Sequence, residues 1–174
     1  AKYLGKTELA YKMLEESKEK RFDHHLAADG SQPHELSRTR SVTYSAFNLK
    51  GLMYLALLAE DLGLNLWNYK NINGATIEDA VAFLKTYVDN PNDWPYEQIS
   101  AVSGKRLTGA FVIAGKKYNR DDFRKTGDEL YNRVGEYFGH SLLRFVPNER
   151  ILKEQMIQEY SSKKLSMLYE LAKD

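Results

Sequence analysis

Two arginines and a tyrosine lie close together in the polar segment over residues 29–49. Arg38 and Arg40 directly precede an apolar stretch that is predicted to be a helix, and Tyr44 lies in its first turn. A guanidinium group binds a carboxylate through two parallel hydrogen bonds, and the positive end of a helix dipole adds to the attraction for an anion. A tyrosine beside a cation can serve as a base, because the positive charge stabilises its phenolate. These residue types therefore predict a carboxylate site with a tyrosine available for proton transfer.

The same residues also fit a structural role. Arg38 could pair with Glu35 or with Asp29, and Tyr44 could be a packing residue at the start of the helix. Structural ion pairs arrange charges in the same way, and on residue types alone the structural interpretation is the favoured one. Both interpretations therefore stay open at this point.

Several other kinds of chemistry are excluded or disfavoured by the sequence. It contains no cysteine, which excludes thiolate catalysis, disulfides and cysteine-ligated metals. It contains no glycine-rich phosphate loop, no HExxH motif and no nucleophile elbow. His24 and His25 are adjacent, and neighbouring side chains point in different directions in a helix or a strand, so they make a poor chelating pair. No metal and no cofactor is therefore predicted.

Length and composition indicate one globular domain over residues 1–174. Hydrophobic residues make up 43% of the chain, which is enough to form a core. Lys and Arg total 25 against 24 Asp and Glu, and this balance disfavours a dedicated nucleic-acid-binding protein. No apolar run approaches the roughly 20 residues needed to cross a bilayer, so no membrane partner is expected. The first residues are of mixed polarity, so no signal peptide is predicted within this sequence.

Apolar residues recur with helical spacing along nearly the whole chain, and strand patterns are sparse. An all-α fold is therefore predicted. The predicted helices cover residues 7–21 with Thr7 as N-cap, 41–62, a segment that begins at Thr76, 94–102, 106–118, 120–138 and 148–173.

The helix predicted over residues 41–62 differs from the others because it is apolar around most of its circumference. Lys50 is its only charged residue until Glu60, and Gly63 ends it. Such a helix is normally surrounded by other protein, which makes it an inner helix. Its alternation with more polar helices predicts paired inner and outer helices, as in helical toroids and helical repeat proteins.

A series of short motifs runs from residue 29 to residue 99. The first is DGSQPHELSRTRS over residues 29–41, and YSAFNL follows at residues 44–49. The series continues with LALLAEDLGLNLWNY at 55–69, an Asn-Gly pair, and WPYEQI at 94–99. In this order the motifs resemble those of the alginate lyase superfamily of polysaccharide lyases. The resemblance covers about residues 1–100 and rests on the ordered series, since the Arg-x-Arg-x-x-x-Tyr core alone is a weak signal.

This resemblance implies an (α/α) toroid that cleaves an anionic polysaccharide, alginate or a related polyuronate, by β-elimination without a cofactor. It implies that Tyr44 is the catalytic acid and base and that Arg38 neutralises the uronate carboxylate. Arg40 is the alternative to Arg38, because the spacing between this arginine and the tyrosine varies in the family. Gln32 and Glu35 lie on the same loop and would bind sugar hydroxyls or orient an arginine. The resemblance also implies a secreted or periplasmic protein.

The sequence departs from the family pattern in one respect. The family's second neutralising group is an Asn-His pair on an inner helix that would precede Ala1, and none of the four histidines stands in that context. The chain is therefore expected to match the C-terminal part of the domain and to form an incomplete toroid, with the missing N-terminal part of its own domain as a partner. Two other roles stay open. One is a non-catalytic helical scaffold that binds carbohydrate or peptide, and the other is a fragment without activity of its own.

Overall fold

A computed structural model of the chain describes residues 4–100 and 104–134. These residues form helices and contain no strand, apart from an isolated antiparallel bridge between Arg40 and Gln98. The prediction of an all-α fold is therefore confirmed. The helices are α1 (Thr7–Ser17), α2 (Pro33–Leu36), α3 (Ser41–Glu60), α4 (Ile77–Asp89), α5 (Thr108–Lys117) and α6 (Asp121–Val134), with 3₁₀ turns at Pro91–Asp93 and Gly104–Leu107.

Helix α1 differs from the prediction at both of its ends. Lys6 occupies the N-cap position and no side chain caps the helix, so the prediction of Thr7 as N-cap is wrong. Beyond Ser17 the chain continues as a π-helical turn over Lys18–Asp23, which carries the helical region past the predicted end. The predicted helix over residues 148–173 and the end of the helix predicted to start at residue 120 lie outside the described residues.

The short helix predicted from residue 94 to residue 102 is wrong for the part that the structure describes. Residues 94–100 are not helical, and Trp94 has an extended ψ of 112°. Pro95 explains this conformation, because a proline disfavours the helical region for the residue before it. The backbone of this segment pairs with the start of α3 instead.

Helix α3 lies at the centre of the described residues, in contact with α1, α2, α4 and α5. Ten of its residues are buried, and Leu49, Met53 and Ala56 have no exposed surface. The prediction of an inner helix is therefore confirmed for the buried face of α3. After α3 the chain turns at Gly63, whose φ of +74° lies in the left-handed region that favours glycine. No helix among the described residues is both long enough and apolar enough to cross a membrane.

One face of α3 is left uncovered by the described residues. Phe47 is 73% exposed and Leu58 is 46% exposed. Tyr44, which is half-buried, and Gly51, which is exposed, lie on the same face by helical spacing. We call these four residues the open face of α3. The expectation that this helix is surrounded on all sides is therefore wrong within residues 4–100 and 104–134.

Helix α4 is fixed at its N-terminus by a complete capping box. Thr76 Oγ1 accepts a hydrogen bond from the Asp79 N–H at 3.3 Å, and the Asp79 carboxylate accepts one from the Thr76 N–H at 2.8 Å. We expect Thr76→Ala to lower the free energy of unfolding by about 1 kcal/mol, because the Asp79 amide loses its acceptor. Chemical denaturation measures the change. Thr86→Ala, an exposed substitution within α4, is the control, and an equal loss of stability in both variants would contradict the prediction.

Candidate functional site

The loop before α2 is anchored on α4 through a glycine. Gly30 has a φ of +78°, and a Cβ atom on it would lie 2.3 Å from the carbonyl carbon and oxygen of Asp79. Only glycine fits so close an approach in the left-handed region. Within the loop, the Ser31 N–H donates to Asp29 Oδ1 at 2.9 Å, and hydrogen bonding by Ser31 holds the pKa of the Asp29 carboxyl below its ordinary value. The Asp29 carboxylate therefore stabilises the loop in which it lies.

Gln32 is buried and is joined to α3. Only 1% of its surface is exposed, and its Oε1 accepts a hydrogen bond from Asn48 Nδ2 at 2.9 Å. Its Nε2 is buried and has no hydrogen-bond partner among the described residues. Asn48 lies one helical turn after Tyr44, so this bond ties the loop to the turn of α3 that carries the tyrosine. Sequence analysis missed Asn48, although its position four residues after Tyr44 was a signal that could have identified it.

Arg38 and Tyr44 are in direct contact. The guanidinium carbon of Arg38 lies 3.9 Å from the centre of the Tyr44 ring, which is a cation–π arrangement. Arg38 is exposed and Tyr44 is half-buried, so a ligand can reach both from solvent. Among the described residues, Arg38 forms no ion pair with Glu35 or Asp29. The pairing expected from the structural interpretation is therefore not formed.

The N-terminus of α3 is closed by protein groups from the segment after α4. The Glu97 carbonyl accepts hydrogen bonds from Ser41 Oγ at 2.6 Å and from the Ser41 N–H at 3.4 Å. Trp94 Nε1 donates to Ser41 Oγ at 2.8 Å, and Gln98 Oε1 accepts from the Val42 N–H at 3.1 Å. These bonds occupy the first two amides of the helix, which would otherwise face a ligand. The expectation that the helix terminus itself receives an anion is therefore not supported.

The other two predicted site residues lie on either side of Arg38 in the sequence. Arg40 occupies the N-cap position of α3, and its side chain is exposed. Glu35 lies half-buried on α2. In the described part of the chain, the structure records no contact of either side chain with Tyr44. The arrangement as a whole can hold a carboxylate at Arg38 and present the Tyr44 hydroxyl beside it for proton transfer.

Three histidines form a cluster between the π-helical turn and α2. The ring of His24 stacks on the ring of His34 with 4.8 Å between centres, and the ring of His25 lies 5.3 Å and 5.9 Å from these two. Sequence analysis considered only the adjacent pair, because the loop that brings His34 to them is not visible in a local pattern. No group of His, Asp or Glu side chains among the described residues is arranged to hold a metal ion.

The cluster predicts a pH dependence of stability. Partial burial lowers the pKa of His25, and the neighbouring charges of His24, His34 and Arg21 lower it further. His25 therefore binds a proton more readily in the unfolded chain than in the folded protein. The stabilisation from neutral His25 is complete above about pH 6.5, and it is lost as the pH falls through the pKa of His25 in the folded state. We expect the free energy of unfolding to decrease as the pH falls below about 6.5, and the decrease to be smaller in His25→Gln.

Denaturation curves at several pH values measure this effect. Measurements above about pH 5 separate the effect of His25 from the titration of Asp29 and Glu16, because the pKa of each of these carboxyls lies below its ordinary value. An identical pH dependence in the wild type and His25→Gln would show that His25 is not the group responsible.

Two comparisons with known proteins found similar proteins. A family model described as alginate lyase matches residues 1–94. The crystal structure of an alginate lyase from Bacteroides ovatus is similar to this chain, with a TM-score of 0.70 and 26% sequence identity. The similarity covers 86% of this chain and 39% of that one, so the chain spans about two fifths of the length of this relative. No curated protein matches the sequence.

Proposed function

The chain belongs to the alginate lyase family, and from this premise we propose that it forms part of the active site of a polysaccharide lyase that cleaves alginate or a related polyuronate by β-elimination. The observation that carries the proposal is the contact between Arg38 and Tyr44, 3.9 Å from guanidinium carbon to ring centre, at the end of the open face of α3. An exposed guanidinium without an ion-pair partner among the described residues, next to a phenol, suits an acidic sugar.

Elimination has three chemical requirements. The C5–H and C4–O bonds of a uronate break, and a double bond forms between C4 and C5. A base must take the C5 proton, an acid must protonate the departing O4, and a cation must neutralise the carboxylate so that the C5 proton becomes acidic. Arg38 neutralises the carboxylate in this proposal, and Tyr44 transfers the protons. Arg40 is the alternative neutralising residue.

The proposed roles of Gln32 and Glu35 differ because their surroundings differ. The Gln32 side chain is buried and bonded to Asn48, which favours a role in orienting the turn of α3 that carries Tyr44. Glu35 is half-buried on α2, two residues before the exposed segment that contains Arg38. Its proposed role is to bind a sugar hydroxyl.

The remaining catalytic groups come, in this proposal, from an N-terminal part of the same domain. The chain spans 39% of the length of the similar alginate lyase, and the open face of α3 exposes apolar side chains that a further helix would cover. We propose that this upstream part completes the toroid and supplies the second neutralising group. A secreted or periplasmic location follows from the proposed substrate.

Incubation with polyuronates tests the proposal. The chain, and the chain extended by its upstream part, are mixed with alginate, polymannuronate, glucuronan and a neutral polysaccharide, and the absorbance of the unsaturated product is followed. We expect product from a polyuronate only. Comparison of Arg38→Leu with Arg40→Leu identifies the neutralising arginine by the larger loss. Binding of carbohydrate that is insensitive to Tyr44 and Arg38, without any cleavage, would support the non-catalytic scaffold instead.

A further inference from the structure

The segment after α4 holds the start of α3 along consecutive residues. The Ile99 N–H donates to the Thr39 carbonyl at 2.9 Å, and Arg40 and Gln98 form the isolated antiparallel bridge. One residue further, Gln98 uses its side chain to accept a hydrogen bond from the Val42 N–H at 3.1 Å. Gln98 therefore contacts both the last residue before the helix and the second residue within it.

Gln98 supplies the cap that the helix itself lacks. Arg40 occupies the N-cap position but makes no capping hydrogen bond with its side chain. The acceptor comes instead from Gln98, 56 residues away in the sequence, and it reaches the amide that an N-cap side chain ordinarily satisfies. Gln98 Nε2 donates to Ser100 Oγ at 2.9 Å, which fixes the orientation of the amide group.

We propose that Gln98 is a positioning residue for the Arg38–Tyr44 pair. Arg38 lies just before the start of α3 and Tyr44 lies in its first turn, so their separation depends on where the helix begins. Fraying of that turn rotates Tyr44 away from Arg38, and a displacement of about 1 Å at a reacting group lowers a rate by roughly a hundredfold. The effect of Gln98 on the reaction rate rests on the proposed function, whereas its effect on the separation of Arg38 and Tyr44 does not.

The rest of this contact does not depend on the Gln98 side chain. Trp94 is 9% exposed, packs against the rings of Tyr87 and Tyr96, and donates its indole hydrogen bond to Ser41. The Glu97 carbonyl also keeps its bonds to Ser41. Substitution of Gln98 is therefore expected to leave the protein folded and to alter the first turn of α3 locally.

Two substitutions at Gln98 separate its roles. Gln98→Glu keeps an oxygen acceptor for the Val42 N–H at the positive end of the helix, where a carboxylate is favoured. Gln98→Met has a similar size and removes the acceptor. The first readout is the NMR signal of the Arg38 Nε–H group, which the ring of Tyr44 shifts upfield when the two are stacked. The second is kcat and KM on a polyuronate for the protein extended by its upstream part.

We expect Gln98→Glu to keep the upfield shift and wild-type kcat within about twofold, and Gln98→Met to lose the shift and about 10- to 100-fold in kcat with little change in KM. Ser100→Ala loosens the Gln98 amide and should reduce the upfield shift and kcat by smaller amounts. This variant replaces Gln98→Met if Gln98→Met does not fold. Three results would overturn the proposal. They are an unshifted Arg38 signal in the wild type, an upfield shift retained in Gln98→Met, and an equal loss of kcat in Gln98→Glu and Gln98→Met. If no variant, including the wild type, cleaves polyuronate, the proposed function fails, and the NMR comparison still decides whether Gln98 positions the pair.

Discussion

Replacement of Tyr44 by phenylalanine is expected to reduce kcat for polyuronate cleavage by about a thousandfold, with little change in stability. Proton transfer by a positioned side chain contributes roughly 10²- to 10⁴-fold to a rate, and the phenylalanine variant loses the hydroxyl that transfers the proton in the proposed mechanism. The ring that stacks under Arg38 remains, so the contact at 3.9 Å is preserved. The hydroxyl has no hydrogen bond within the described residues, and its removal therefore leaves no unsatisfied partner there. Initial rates of unsaturated product over a range of substrate concentrations measure kcat and KM separately.

Tyr54→Phe is the matched control for this substitution. Tyr54 is also half-buried and lies on the same helix, and its variant loses the same hydroxyl group. Because Tyr54 follows Tyr44 by ten residues, it lies further along α3 from Arg38. We expect the control to retain kcat within about twofold. Wild-type kcat in Tyr44→Phe would remove Tyr44 from the catalytic mechanism, whereas an equal loss in both variants would indicate a general effect on α3.

Replacement of Gly30 by alanine is expected to lower the free energy of unfolding by about 3 kcal/mol, the largest stability effect we predict for a single methyl group. Two effects add. The φ of +78° disfavours any side chain, and the new Cβ would lie 2.3 Å from the Asp79 carbonyl and 2.7 Å from the Ala80 nitrogen. These neighbours are backbone atoms of α4, so no side chain can move aside to make room. The loop must shift, and Gln32 with it.

Gly74→Ala separates the two effects, and chemical denaturation of both variants measures them. Gly74 has a φ of +83°, but a Cβ atom on it would meet nothing within 4 Å. It therefore carries the conformational penalty without the steric clash, and we expect a loss of about 1 kcal/mol. A Gly30→Ala variant that is no less stable than Gly74→Ala would show that the loop can move away from α4 without loss.

The helices could be predicted where their signals are local. The apolar residues of α3 and the Thr76 capping box depend on neighbours within one or two turns, so the sequence pattern contains them. The segment over residues 94–100 could not be predicted in this way. Its hydrogen bonds go to Thr39, Ser41 and Val42, far away in the sequence, and these distant partners determine its conformation.

The candidate site was predictable in its residue types and less so in its contacts. Arg38 and Tyr44 are six residues apart across a helix start, so their proximity follows from local geometry. Whether Arg38 contacts Glu35 or the Tyr44 ring depends on its rotamer, which the packed environment selects. The bond between Gln32 and Asn48 and the cluster around His34 depend in turn on the loop held by Gly30, a tertiary contact with α4.

The chemistry of the newly formed chain ends tests the central claim most directly. Polymannuronate is incubated with the chain extended by its proposed upstream part, in water labelled with heavy oxygen. Elimination forms a double bond between C4 and C5 and takes no oxygen from water, whereas hydrolysis adds a labelled oxygen at each cut. We predict ends with a double bond between C4 and C5, which are lost in Tyr44→Phe. Saturated, labelled ends, or unsaturated ends formed by Tyr44→Phe at the wild-type rate, would contradict the proposed role of the Arg38–Tyr44 pair.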